Sequence, residues 1–82
     1  MSIDPPYPVL ARQAHIQGTV VLTAIIDKEG IIENLQLVSG HPLLAPAAIE
    51  AVKHWRFKPF LLDGQPVGVE TTVTVNFRFS EA

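Results

Sequence analysis

Few side chains in this sequence are suited to chemistry, and they are scattered. His15, His41 and His54 invite a metal site, but none stands four residues from another and the chain has no cysteine. Zinc sites built on a helix want the i, i+4 spacing, and structural ones want thiolates. Solvated or half-buried imidazoles are the better reading, with no metal ligand among them. Asp27 and Glu29 resemble a carboxylate pair for acid–base work. They flank "DKEG", however, where acids serve a turn by hydrogen bonding their own backbone, and the turn reading prevails. The same four residues are too short for a calcium loop. Ser39 lacks the "GxSxG" frame of a hydrolase nucleophile, and no Gly-rich phosphate loop occurs. The sequence therefore argues against an enzyme and supplies no cofactor site.

Two aromatic residues remain. Trp55 ends an apolar helical stripe and is better read as a core anchor than as a ligand platform. Tyr7 stands between prolines on an extended segment, where core and contact surface are equally good readings. Arg56 and Lys58 alternate with Phe57 as the solvated face of a short strand would.

The elements that must carry these residues fit one domain of 82 residues, residues 1 to 82, with 1 to 7 as an extended N-terminal segment. Net charge is −2, and the six Lys and Arg are spread from Arg12 to Arg78. Nucleic-acid binding is excluded as a reading, because phosphate neutralisation needs clustered cations. The apolar run "VVLTAII" is too short to cross a bilayer, and residues 1 to 17 lack the pattern of a signal peptide.

"VLARQAH" predicts a short helix after Pro8, pinned to the core by Leu10 and Ala14. "GTVVLTAIID", residues 18 to 27, is β-branched with wholly apolar even positions and reads as a central strand. "DKEG" closes into a left-handed Gly30, and residues 31 to 39 return with a bulge near Glu33 and Asn34. Pro46 places the main helix start near Leu44 or Ala45. Its apolar stripe is Ala48, Ile49, Val52 and Trp55, with Glu50 and Lys53 facing water. "LLDGQPVG" reads as a turn-rich link, tightest at Asp63-Gly64. The last strand begins near Val67 or Val69. The fold class is α+β: a small three-stranded antiparallel sheet packed on one main helix, with a short N-terminal helix.

That last strand contains "TTVTVNFRF". Val73, Val75, Phe77 and Phe79 alternate with Thr72, Thr74, Asn76 and Arg78, the pattern of one buried face. If the first strand is central, this one is an edge, long and nearly uncharged. Natural edges are usually shortened, bulged or charged. An edge left open is what strand-addition binding modules use.

Several stretches together resemble the C-terminal domain of the TonB family of energy transducers. They are "YP" at Tyr7-Pro8, "AR" at Ala11-Arg12, "GTVVLTAIIDKEGII", "LVSGHPLL", "AAIEAVKHWRFKP" and "DGQPV…TVTVNF". The helix ending in W-R-F-K-P is the most specific of them. The resemblance implies a periplasmic domain, joined by a proline-rich spacer to an inner-membrane helix driven by an ExbB–ExbD-type motor. It implies that the domain grips the TonB box of an outer-membrane transporter, as in siderophore uptake, by strand addition beside the last strand. The partner-binding residues so implied are Val73, Thr74, Val75, Asn76, Phe77, Arg78 and Phe79, with Asp4, Pro5 and Tyr7 from the extended segment. Some family members carry Gln-Pro where this chain has Asp4-Pro5, an exchange that removes an amide donor. The alternative is a self-associating or scaffolding domain appended to another periplasmic protein, in which a homodimer would occupy the same edge.

Overall fold

Alternation along residues 18 to 26 fixes the centre of the molecule. Val20, Leu22, Ala24 and Ile26 point to one face and are buried, while Thr19 and Ile25 on the other face are exposed. The computed structural model describes residues 6 to 79. Within it, β1 (Gly18–Ile26) is the middle strand of a three-stranded antiparallel sheet, between β2 (Ile32–Ser39) and β5 (Val69–Phe77). One helix, α1 (Val9–Gln13), precedes the sheet, and the main helix, α2 (Ala45–Val52), follows β2. The molecule is thin, with principal extents of 48 × 26 × 15 Å. Sheet and helix together make two layers, and the Thr-rich outer face of the sheet faces water.

The turn between β1 and β2 forms as the sequence dictates. Asp27 Oδ1 accepts from the backbone N–H groups of Glu29 (2.8 Å) and Ile31 (3.0 Å), and Gly30 adopts φ +85°. The Asp27 carboxylate therefore serves the turn. Two bulges interrupt β2. Ile25 pairs with Asn34 and Ile26 with Ile32, which leaves Glu33 extra, as the broken alternation predicts; Val38 is extra in the same way between Leu37 and Ser39.

The core joins Val20, Leu22, Ala24 and Ile26 of β1 to Val73, Val75 and Phe77 of β5. Leu44, Ala45, Ala48 and Val52 close it from the helix side. Three expectations need correction. In α1 it is Ala11, fully buried, that meets the core; Leu10 and Ala14 are exposed, because the helix is a single turn lying on a different side. In α2 the helix stops at Val52, so Trp55 packs half-buried against the core from the chain that follows rather than from a helical stripe. Arg56 makes only an isolated bridge to Ile31, not a strand.

The link after Pro59 is also more ordered than its sequence suggests. Residues 60 to 67 form a hairpin of β3 (Phe60–Leu62) and β4 (Gln65–Val67). Asp63 (φ +50°) and Gly64 (φ +80°) make a two-residue turn with both central φ positive, the geometry that suits the strand twist. Leu62 and Gln65 flank that turn as the hydrogen-bonded pair, so Leu61 and Pro66 form the next, non-bonded pair. Pro66, which has no N–H to give, sits where none is needed.

Candidate functional site: the free edge of the last strand

β5 pairs on one side only, with β1, and among the described residues no strand lies on its other side. Its inward and outward groups are assigned from three observations. The Asp27 N–H donates to Ile31 O (2.8 Å), toward β2, so in β1 the N–H groups of Ile26, Ala24, Leu22, Val20 and Gly18 face β5. Their partners are Val69, Thr71, Val73, Val75 and Phe77. The Phe79 N–H donates to Gln17 Oε1 (2.7 Å), on the β1 side, which is the same parity. Thr19 Oγ1 donates to Asn76 Oδ1 (2.8 Å), a side-chain contact expected of the closer, non-bonded pairs. The backbone N–H and C=O groups of Glu70, Thr72, Thr74 and Asn76 are therefore left pointing away from the sheet.

This splits the residues implicated by sequence into two groups. Val73, Val75 and Phe77 are buried, and both their side chains and their amides are committed to the fold. Thr74 and Asn76 are exposed and carry outward backbone groups. Arg78 is exposed just beyond the strand. Asp4 and Pro5 lie outside the described residues.

Tyr7 and Phe79 come together at the end of β5. The Tyr7 ring stacks on Phe79 (centroids 5.1 Å apart, planes at 17°) and meets Phe77 edge-on (5.6 Å, 87°). Its hydroxyl donates to Ile16 O, and the Arg12 guanidinium lies 5.6 Å from its ring centroid. His15, at φ +57°, brings its ring edge to Phe79 at 5.9 Å. Tyr7 packs against the core and remains half-buried, so part of the residue stays at the surface. Tyr7 is thereby clamped at the C-terminal end of the edge strand. Nothing in the spacing of Tyr7, Arg12, His15 and Gln17 foretold that clamp, because it depends on a chain reversal across the sheet end.

The histidines are far from one another in role. His41 Nδ1 accepts from the Leu43 N–H (3.0 Å) at the entry to α2, and His54 lies 3.6 Å from Glu50. Glu50 is also bridged by Lys53 at 2.7 Å; the hydrogen bond from Lys53, more than any other influence, holds its carboxyl below the usual carboxylate range. Both are surface pairs, worth little to stability.

Comparison with known proteins agrees with the fold. Residues 3 to 79 match the family model described as Gram-negative bacterial TonB protein C-terminal. The chain is 37% identical over 78 residues to Protein TonB of Vibrio cholerae serotype O1, covering 93% of this chain and 32% of that protein. It is 33% identical over 79 residues to Protein TonB of Xanthomonas campestris pv. campestris, covering 93% and 35%. The chain thus spans about a third of the length of these curated relatives. Its fold is similar to the solution NMR structure of the Pseudomonas aeruginosa TonB CTD, at a TM-score of 0.78 and 25% identity, covering 100% of this chain and 85% of that one. A solved structure of the TonB2 protein from Vibrio anguillarum follows at 0.69 and 30%, covering 95% and 76%. Among the described residues no helix is long and apolar enough to cross a membrane. With the motifs, the strand order and these matches in agreement, the chain belongs to the TonB C-terminal domain family.

Proposed function

We propose that this domain is the periplasmic end of a TonB-type energy transducer, which binds the TonB box of an outer-membrane transporter by adding it as a strand to β5. The observation that carries this reading is the unpaired backbone of Glu70, Thr72, Thr74 and Asn76, on a nine-residue edge strand whose inward residues are all apolar or Thr. The domain works by binding and by transmitting force from an ExbB–ExbD-type motor, not by catalysis. Its link to that motor is an inner-membrane helix and spacer that would precede residue 1.

The energetics suit a transient grip. Roughly five or six backbone hydrogen bonds, each worth about 0.5–1.5 kcal/mol net, are offset in part by the cost of ordering the peptide. Micromolar affinity, about −8 kcal/mol, is the upper end of what remains. Tyr7 is anchored beside Phe79 at one end of β5, which supports a pull directed along the strand axis; such a pull would load all those bonds together in shear. Pulling the complex along and across that axis should give different rupture forces; equal forces would remove the shear argument.

The direct test is an NMR titration of the labelled domain with TonB-box peptides from transporters encoded in the same genome. The reading expects shifts concentrated on residues 70 to 79 and on Asp4 to Tyr7. Absence of shifts in a sample shown by light scattering to be monomeric would overturn it. Absence of shifts in a dimer would assign the edge to a second copy of the chain.

A further inference from the structure

The β3–β4 hairpin carries the longest consecutive run of exposed large apolar side chains among the described residues. Phe60, Leu61 and Leu62 are 59%, 62% and 64% exposed in succession. A two-stranded hairpin has little stability of its own, and such a run on its surface signals a contact. Its roots are nevertheless firm. At one, the Phe57 N–H donates to Gly30 O (3.0 Å); at the other, Gly68 passes so close to β1 that an added Cβ would lie 3.3 Å from Ile26 O. The two ends of the arm are thus tied to the sheet, which lowers the ordering cost of a contact.

The outer edge of β4 suits contact by side chains rather than strand pairing. Pro66 occupies the outward position of β4 and leaves that edge without a donor. Phe60 and Leu62 share a face with Val67, the cross-strand partner of Phe60, while Leu61 shares the opposite face with Pro66 alone. The face of Phe60, Leu62 and Val67 is the larger apolar surface.

Position decides the occupant. Val67, Gly68 and Val69 run directly from the hairpin into β5, and the first outward backbone group of β5 belongs to Glu70. A strand added to β5 advances about 3.4 Å per residue, so if it continued past its pairing with Glu70 it would run toward the level of Val67, three residues before Glu70 in the same chain. We infer that the Phe60–Leu62–Val67 face is a second contact for the same extended polypeptide, and that it takes a bulky apolar side chain lying just beyond the residues paired with β5. This rests on the strand-addition reading.

The experiment measures binding of a TonB-box peptide, bare or lengthened by Gly-Phe-Leu at either its N or its C terminus. The proteins are the parent domain, a Phe60→Ser/Leu62→Ser double variant, a Leu61→Ser control and Thr74→Pro. All three hairpin residues are exposed, so urea midpoints should stay unchanged. Extension at one end, and not the other, should tighten binding to the parent about tenfold. The double variant should lose that gain and keep bare-peptide affinity, with Leu61→Ser behaving as parent. Equal affinities of the extended peptides for parent and double variant, with Thr74→Pro abolishing binding, would overturn the hairpin proposal alone. Unchanged binding by Thr74→Pro would overturn the strand-addition reading beneath it. A concentration-dependent mass that disappears in the double variant would assign the face to self-association instead.

Discussion

Proline substitutions at two adjacent positions of β5 should have opposite consequences. Val75 directs its N–H to β1, opposite Val20, and its side chain into the core. Val75→Pro deletes that donor and strands the carbonyl of the fully buried Val20, at about 1–3 kcal/mol. It also loses apolar packing and forces φ toward −65°, adding about 1–2 kcal/mol. The sum, about 2–5 kcal/mol, approaches at its upper end the whole stability expected of a domain this small. Thr74 is exposed, and its N–H points away from the sheet. Thr74→Pro deletes no native hydrogen bond, and its backbone strain is offset in part by a less flexible unfolded chain, leaving a cost within about 1 kcal/mol. Asn76 is a poorer probe because its side chain accepts from Thr19. Urea unfolding followed by Trp55 fluorescence gives both numbers. With a slope near 1 kcal/mol/M, typical of small domains, the Thr74 variant should move the midpoint by less than about 1 M. The Val75 variant should lower it by about 2–5 M. Equal destabilisation, or the reverse order, would show that the inward and outward amides of β5 are assigned the wrong way round, and would remove Glu70, Thr72, Thr74 and Asn76 from the proposed site.

Gly30→Ala should cost about 3 kcal/mol or more in the same assay, since a Cβ there would lie 1.9 Å from Phe57 O on a backbone at φ +85°. Tyr7→Phe should cost about 1 kcal/mol through the lost bond to Ile16 O, and Tyr7→Ala about 3 kcal/mol through loss of the ring against Phe77 and Phe79; equal costs would make the hydroxyl the whole contribution. Trp55→Ala, at a half-buried position, should cost about 2–3 kcal/mol and leave a dispersed NMR spectrum, whereas complete unfolding would place Trp55 deeper than it stands here. Glu50 has a depressed carboxyl, so whatever it contributes is present above the ordinary carboxylate range and fades as pH falls through the folded value; because the group is fully exposed, Glu50→Gln should leave the pH–stability profile superimposable on that of the parent.

The sheet was readable because period and composition agree in it. β1 alternates with a wholly apolar inward face, β5 alternates with Thr and Asn outward, and Asp27 and Gly30 supply the turn chemistry between the first two strands. The free edge follows from strand order alone. The hairpin was not readable for the converse reason. Phe60-Leu61-Leu62 has no alternation, and Pro66 argues against a strand unless its missing N–H is known to point outward. Helix α1 misled because one turn offers too few residues for periodicity to separate Ala11 from Leu10. The clamp of Tyr7 on Phe79 joins residues 72 apart in sequence, and no local pattern encodes such a meeting.

The division of labour along β5 bears on how such a domain can diverge. The residues that build the fold and those whose amides stay free alternate one by one, and the free amides belong to positions whose side chains are exposed, with Asn76 also hydrogen-bonded across the sheet surface to Thr19. Mutation at Glu70, Thr72, Thr74 or Asn76 can therefore run through almost any amino acid but proline while the docking strip keeps its shape. Partners are held to a similarly loose rule, since a backbone accepts any segment able to lie extended. Under the proposed strand addition, one unaltered receptor could serve a growing repertoire of transporters, with new clients recruited by changes in their own sequences.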